Sequence, residues 1–163
     1  MSRFEEYVTQ AQVKDFGPFR APLVVTRKAT IEDVIAKMAA ERTGCVLVID
    51  EGSQSAGQFA LAGIFTERDL LRRVLGAGKS TSTPVGDVMT PDPDTISPDD
   101  TILSAIRTMH EGCHRHLPVV ENGKPVSVIS SRSLIRHIAE LFPAEVYNLP
   151  PELGQKYYEA EGA

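Results

Sequence analysis

Apolar residues recur with helical spacing in two separate stretches of the chain. Both stretches place them at positions i, i+3, i+4 and i+7: Ile31, Val34, Ile35 and Met38 in the first, and Ile102, Ala105, Ile106 and Met109 in the second. This spacing predicts two amphipathic helices. A short valine-rich run follows each helix, at 45–49 and 117–120, and its length and composition predict a buried strand.

These stretches are copies of one repeated unit. The matching segments are 30–38 with 101–109 and 46–50 with 117–121, both at an offset of 71 residues, and 66–72 with 130–136 at an offset of 64. The offset falls because the first copy carries a longer polar loop at 51–58. The second copy has Asn122-Gly123 there instead, which predicts a tight hairpin.

Each copy has the predicted order β-α-β-β-α. In repeat 1 we predict the first strand at 23–25, the second hairpin strand at 61–65 and the start of the second helix at Thr66. In repeat 2 we predict the same elements at 94–96, at 126–129 and at Ser130. One such unit cannot bury both faces of its sheet, so we expect an α/β (α+β) fold with two repeats packed about a pseudo-twofold axis. The predicted organisation is an N-terminal helical extension at 1–18, repeat 1 at 19–76, a linker at 77–87, repeat 2 at 88–141 and a Pro-rich tail at 142–163.

Composition narrows the classes of function. A net charge of −5 and a pI near 5.4 argue against a nucleic-acid partner. No apolar run approaches the ~20 residues of a membrane span. Cys45 and Cys113 have neither disulfide nor zinc spacing, so we expect small buried thiols, no metal site and a reducing cytoplasm. The sequence has no nucleophile–base set, phosphate loop or dinucleotide fingerprint, so we expect neither an enzyme nor a catalytic cofactor.

Three motifs carry a resemblance to a known family. They are Gly-Ile-Phe-Thr-Glu-Arg-Asp at 63–69, Val-Met-Thr at 88–90 and His-Arg-His-Leu-Pro-Val-Val at 114–120. Together with the repeated order of elements, they resemble a stand-alone pair of cystathionine-β-synthase (CBS) domains over 19–141. The resemblance implies a regulatory module whose clefts between the repeats hold adenosine-containing nucleotides.

The Thr-x-x-Asp spacing of the first motif suits a ribose. Residues i and i+3 of a first helical turn share one side, where a carboxylate can accept from both ribose hydroxyls. Carried over by position, the resemblance implies a first ligand site made of Thr66 and Asp69 at the ribose, Thr90, Pro93 and Thr95 at the adenine, and Cys45 and Val46 opposite. The same spacing is also that of a capping box, in which the carboxylate only satisfies the helix start.

The second copy departs from this motif. Ser127 replaces Gly63 and Ser133 replaces Asp69. A lost charge-assisted hydrogen bond costs roughly 1.5–3 kcal/mol, so ribose binding there should be weak. The second, weaker site is expected to receive phosphates through Ser130, Ser133, His114, Arg115, His116 and Arg132. A solvated surface patch is the alternative explanation of this cationic cluster.

Two functions remain open. One is a cytoplasmic homodimer that senses an adenine nucleotide, AMP or ATP, and signals to an effector protein. The other is a ligand-free interaction module. The expected dimer seam is the apolar side of the second helices, formed by Leu71, Val74, Leu75, Ile135 and Ile138. A short helix near Tyr7 is too small to stand alone, so we expect it to dock on the repeats.

Overall fold

The computed structural model describes residues 2–17, 19–50 and 60–143. The helices are α1 (Arg3–Gln10), α2 (Ile31–Glu41), α3 (Glu67–Asp69, continued as a π-helix over Leu70–Leu75), α4 (Ile102–Glu111) and α5 (Ser131–Leu141). The strands are β1 (Val24–Thr26), β2 (Cys45–Ile49), β3 (Leu61–Thr66), β4 (Thr90–Pro91), β5 (His116–Glu121) and β6 (Lys124–Ser130). Short 3-10 turns lie at Val13–Phe16 and Val85–Asp87. The predicted loop 51–58 and nearly all of the predicted tail lie outside the described residues.

The predicted α/β fold with two similar repeats is confirmed. In repeat 1, β1 pairs in parallel with β2, and β2 pairs antiparallel with β3. In repeat 2, β5 and β6 form the predicted hairpin, and its turn residues Asn122 and Gly123 have φ angles of 50° and 78°. None of the helices in the described ranges has both the length and the hydropathy needed to cross a membrane.

One predicted strand is wrong. The segment 94–96 forms only an isolated parallel bridge between Ile96 and Val119, rather than a strand comparable with β1. Ile96 donates to the carbonyl of Pro118 at 3.0 Å and accepts from Val120 at 2.8 Å. Prolines at 93 and 98 flank this bridge, and because proline has no N–H the pairing cannot extend to them.

Polar caps and apolar stripes explain the first helix of each repeat. Thr30 accepts from the Asp33 amide at 3.2 Å, and Thr101 accepts from the Ser104 amide at 3.1 Å. The predicted stripes face the two cores, where the first two residues of each stripe are fully buried: Ile31 and Val34 in repeat 1, and Ile102 and Ala105 in repeat 2.

The N-terminal extension packs on repeat 2, which the sequence alone could not specify. Val13 is 1% exposed within the core of repeat 2 and donates to the Asp100 carbonyl at 2.8 Å. The hydroxyl of Tyr7 lies 2.7 Å from Nε2 of His137 on α5. The segment that precedes repeat 1 in the sequence therefore packs against repeat 2.

The predicted linker 77–87 packs on repeat 1. The carbonyls of Thr81 and Thr83 accept from the first amides of α2, and Val85 is fully buried in the core of repeat 1. Just beyond, β4 pairs antiparallel with β3 and completes a four-stranded sheet. The two repeats thus exchange their leading segments, while the exact domain boundaries stay a prediction.

Equivalent hydrogen bonds mark the pseudo-symmetry. Glu67 donates to the Gly44 carbonyl at 3.1 Å, and Ser131 donates to the Arg115 carbonyl at 2.9 Å. These bonds tie the second helix of each repeat to the start of its hairpin. An apolar cluster of β2 and β3 side chains contacts β6 through Val128 and thereby joins the repeats.

Only part of the predicted dimer seam is exposed. Leu71, Leu75 and Ile135 are 63%, 58% and 64% exposed. Val74 instead lies in the core of repeat 1, and Ile138 packs against the core of repeat 2. The helices present these two residues inward because they fall on the same side as the core-facing residues of α3 and α5.

Candidate functional site

A cavity of about 420 Å³ lies between the two repeats, and we call it the first cleft. The start of α3, the segment that follows β4 and the loop before β5 all line it. It brings together seven of the residues that the sequence predicted: Thr66, Asp69, Thr90, Pro93, His114, Arg115 and His116. His114, Arg115 and His116 were predicted for the second site, so the cationic loop contributes to the first cleft as well.

Asp69 forms a capping box at the start of α3, which is the alternative to ribose binding that the Thr-x-x-Asp spacing left open. Its Oδ2 accepts from the Thr66 amide at 2.9 Å and from the Thr66 hydroxyl at 2.7 Å. Thr66 accepts in return from the Asp69 amide at 3.3 Å, which completes a capping box. Asp69 as a whole residue is 8% exposed. A role in the fold is therefore established for this residue whether or not a ligand binds.

The cap leaves part of the carboxylate free to accept. An ionised carboxylate offers about four lone-pair directions. Oδ2 uses two, and Oδ1 faces Nε of Arg73 at 3.3 Å. The contact with Arg73 occupies one direction on Oδ1, so a second direction on this oxygen stays available. Capping and ribose binding are thus compatible at Asp69.

Arg73 is a structural residue that the sequence analysis missed. Besides facing Asp69, it donates to the carbonyls of Met89 at 2.6 Å and Val88 at 3.3 Å. Arg73 therefore connects the start of α3 to the residues just before β4, and β4 begins with Thr90. The i, i+4 spacing of Asp69 and Arg73 was the available signal, because such pairs meet on one helix face.

Gly63 permits β4 to approach β3. A Cβ at this position would lie 2.8 Å from the Thr90 carbonyl oxygen and would overlap Sδ of Met89. Ser127, its counterpart in repeat 2, is buried and donates to the carbonyl of Arg20 at 3.1 Å. Each repeat accommodates an incoming segment at this place, the first by removing a side chain and the second by hydrogen bonding.

Three predicted residues do not line the first cleft. Thr95 is exposed beyond the cavity, because the chain turns toward the bridge at Ile96. Val46 is 1% exposed in the core of repeat 1, since successive side chains of β2 point to opposite faces. Cys45 lies at a second cavity, where burial raises the pKa of its thiol to about 11. The other cysteine, Cys113, is exposed at the first cleft rather than buried as predicted.

The first cleft carries balanced charge. Four arginines line it (68, 72, 73 and 115), together with four carboxylates (67, 69, 92 and 94). Burial and, to a smaller degree, Arg115 lower the pKa of His116 below its usual value. Nε2 of His114 is enclosed without a hydrogen-bond partner among the described residues, and the nearest carboxylate oxygen, on Asp94, is 3.7 Å away.

A larger cavity of about 1020 Å³ lies on the other side of the Arg115–His116 loop, and we call it the second cleft. It contains five of the six residues predicted for the second site: Ser130, Ser133, Arg115, His116 and Arg132. His114 is not among its lining residues and belongs to the first cleft. Glu67, Arg115 and His116 line both cavities, so the two clefts share a wall.

Ser133 reproduces the cap of Asp69 without the charge. Its Oγ accepts from the Ser130 amide at 3.1 Å, and the Ser130 hydroxyl accepts from the Ser133 amide at 3.0 Å. The start of α5 is thus satisfied by a neutral side chain.

Within the described ranges, no cluster of His, Cys, Asp or Glu side chains suits a metal ion.

The chain matches known proteins along most of its length. The sequence pattern of the CBS domain matches twice, over residues 13–76 and 85–140. The mitochondrial CBS domain-containing protein CBSX3 of Arabidopsis thaliana is 32% identical over 127 residues, which cover 76% of this chain and 60% of that protein. This chain thus spans less than two thirds of that relative.

Solved structures of the same architecture are also similar. A CBS-domain-containing protein from Agrobacterium tumefaciens is 28% identical with a TM-score of 0.68, and the match covers 79% of this chain and 94% of that one. CBSX2, solved in complex with AMP, is 25% identical with a TM-score of 0.65, covering 80% and 98%. From these matches and the repeated fold, the chain belongs to the CBS domain family as a tandem pair of CBS domains.

Proposed function

We propose that the first cleft binds an adenosine-containing nucleotide and that the protein is a regulatory sensor rather than an enzyme. The observation that carries this proposal is the meeting of Asp69, which retains an acceptor, with the cationic residues Arg115 and His116 in one cavity. Its volume of about 420 Å³ falls within the usual range for small-molecule sites, about 300–1,000 Å³.

The chemistry of the lining residues suggests an orientation for the ligand. The free acceptor of Asp69 suits a ribose hydroxyl, and a second hydroxyl would replace Arg73 at Oδ1. Arg115 and the N-terminus of α3 attract phosphates. The segment from Thr90 to Pro93 offers backbone groups and a proline ring to the adenine. The AMP complex of the similar protein CBSX2 supports this ligand class.

We also propose a homodimer that acts on an effector protein. Leu71, Leu75 and Ile135 are more than half exposed on the second helices, and an exposed apolar patch of this kind favours association. Binding would affect the partner through α3, since the ligand competes with Arg73 for Oδ1 of Asp69 and Arg73 holds the chain before β4. The free thiols of Cys45 and Cys113 are consistent with the cytoplasm.

The experiment separates the ligand role of Asp69 from its capping role. Asp69→Ser copies the cap that Ser133 forms in the other repeat, whereas Asp69→Ala removes the cap. Asp69→Ala should lose roughly 0.5–2 kcal/mol of stability, and Asp69→Ser should lose less. Both variants should bind adenosine and AMP about ten- to a hundredfold more weakly, the equivalent of one charged hydrogen bond. Ser133→Ala is the control, because it loses a cap but should keep nucleotide affinity.

Thermal unfolding and titration calorimetry provide the readouts. A nucleotide at a hundredfold excess over its Kd stabilises a fold by about 2.7 kcal/mol. For a chain of this size that is a rise in Tm of about 5 to 10 °C. The complete cap at Asp69 favours the second candidate, a ligand-free interaction module. The ligand-free module would be supported if no adenosyl compound raised the Tm of the wild type and if Asp69→Ser had the same Tm as the wild type. Hydrolysis of ATP that depended on a cleft residue would contradict both candidates.

A further inference from the structure

A groove of about 460 Å³ lies on repeat 2 between α1 and the end of α5, and we call it the α1–α5 groove. None of its lining residues lines either cleft. Its apolar residues range from buried to open: Phe142 is buried, Tyr7 and Ala11 are partly buried, and Leu141 is 45% exposed. Its polar residues are all exposed and lie on α1: Arg3, Glu6 and Gln10. An apolar floor inside a polar rim is typical of a surface that another segment covers.

The position of α1 depends on the residue that follows α5. A helix of 8 residues is too short to be stable by itself, so α1 needs contacts with the rest of the fold. The rings of Phe4 and Tyr7 lie 5.6 and 5.3 Å from the ring of Phe142, measured between centroids. Phe142 comes directly after the last residue of α5. The chain that leaves α5 therefore holds α1 in place, and whatever covers the groove stabilises both elements.

The chain's own continuation is the segment nearest to this groove. The described residues end at Pro143, one residue after Phe142 in the groove. A residue spans at most about 3.6 Å, so Val146 lies within about 14 Å of Phe142 and Leu149 within about 25 Å. The length of α1 is about 12 Å, so residues 144–149 can reach all of it. A segment tethered this closely has an effective concentration of about a millimolar, which a separate partner would have to exceed.

The chemistry of this segment matches the groove. Residues 144–149 read Ala-Glu-Val-Tyr-Asn-Leu, and three of the six are large and apolar. The guanidinium of Arg3 lies 5.9 Å from the centroid of the Phe142 ring and makes no salt bridge with any residue in the described ranges. Glu145, three residues beyond Phe142, supplies the opposite charge. Apolar residues for the floor and a carboxylate for the rim thus follow α5 directly.

We propose that residues 144–149 of the same chain fill the α1–α5 groove and clamp α1 onto repeat 2. Val146 and Leu149 cover the exposed part of Leu141, and Glu145 pairs with Arg3. The N-terminal extension and the segment after α5 then form one unit, and this unit closes the groove to other chains. Since no residue of the groove lines a cleft, the clamp is independent of the proposed nucleotide site.

Hydrogen exchange of the full chain tests whether the segment covers α1. The double variant Val146→Asp/Leu149→Asp places two charges in the segment, and Tyr157→Asp/Tyr158→Asp places two charges further along the same tail as the matched control. The amides of α1 should exchange at least about tenfold faster in the first variant, because charged side chains cannot enter the apolar floor. They should exchange as in the wild type in the control. The amides of β2, in the core of repeat 1, should be unchanged in both variants and show that the fold is intact.

Cross-linking with a short bismaleimide identifies which chain fills the groove. Glu6→Cys and Val146→Cys introduce one thiol on the rim and one in the segment, in a background where Cys113→Ser removes the exposed native thiol and Cys45 is buried. The main product should have the mass of a monomer, and Glu6→Cys with Tyr158→Cys should cross-link less. A covalent dimer as the main product would place a second copy in the groove. Equal exchange of α1 in the two aspartate variants would mean that residues 144–149 do not cover it. Either result overturns the proposal, and neither depends on nucleotide binding.

Discussion

The substitution Gly63→Ala tests how β4 closes the first cleft. Gly63 pairs with Pro91 across the β3–β4 ladder. A Cβ there would lie 2.8 Å from the carbonyl oxygen of Thr90, which is closer than real Cβ contacts allow, and would overlap the side chain of Met89. The flexible methionine can move aside, but the backbone of Thr90 cannot do so without loosening the ladder. Overpacking of this kind costs about 1–3 kcal/mol.

The chain offers a matched control at Gly44, which lines the same cleft. A Cβ on Gly44 would meet its nearest atoms at 3.5 Å, an ordinary van der Waals distance. Replacing glycine by alanine at a compatible position stabilises a protein by about 0.4–1 kcal/mol through the unfolded chain. For this size of chain, 1 kcal/mol corresponds to about 2–4 °C in Tm. Gly63→Ala should therefore melt about 2–12 °C below the wild type, and Gly44→Ala at or slightly above it.

Thermal unfolding followed by circular dichroism gives the stabilities, and adenosine titration gives the consequence for the cleft. Because Thr90 lies in the displaced strand and Pro93 follows shortly after it, Gly63→Ala should also weaken adenosine binding. If both glycine variants unfolded at the same temperature, the close approach of β4 would not limit stability and the explanation of Gly63 would be wrong.

Three further outcomes follow from the geometry. The pKa of His116 is lowered in the folded chain, so below about pH 6.5 the unfolded chain binds a proton that the folded chain does not, and stability should fall on acidification. His116→Gln should reduce that loss, which urea unfolding at neutral and acidic pH would measure. The double substitution Leu71→Lys/Ile135→Lys should convert a dimer into a monomer of 17.8 kDa by light scattering without lowering monomer stability, because both side chains are exposed; an unchanged mass would remove this seam. Val13→Ala should destabilise repeat 2 by about 1–3 kcal/mol despite lying outside the predicted repeats, since the side chain is 1% exposed in its core; a loss below about 0.5 kcal/mol would contradict the docking of the extension.

Local chemistry explains what the sequence predicted correctly. The stripes from Ile31 and Ile102 form helices that are capped by Thr30 and Thr101, because capping and amphipathic spacing are both local properties. Asn122-Gly123 forms its hairpin turn for the same reason, since both residues tolerate positive φ. The internal repeat then predicted the architecture, because a pair of similar units has few ways to bury a shared core.

Within the candidate site, the motif identified Thr66, Asp69, Thr90 and Pro93, which the fold brings to one cavity. The failures there are of a different kind. Val46 and Thr95 were carried over by position from the family resemblance, whereas strand alternation turns Val46 into the core and the bridge at Ile96 takes Thr95 away from the cavity. Sequence position alone does not state which side of a strand faces a cleft.

Only the tertiary structure decided which segments belong together. The N-terminal helix packs on repeat 2, and the linker packs on repeat 1, although each is closer in sequence to the other repeat or lies between them. The second cleft likewise gathers Arg20, Arg42 and Arg136 from three distant segments, and none of them belongs to a recognisable motif. Helix caps, turns and stripes arise from interactions between near neighbours, so the sequence determines them directly. The pairing of remote segments depends on which apolar surfaces and charges meet after folding, and that information is distributed over the whole chain.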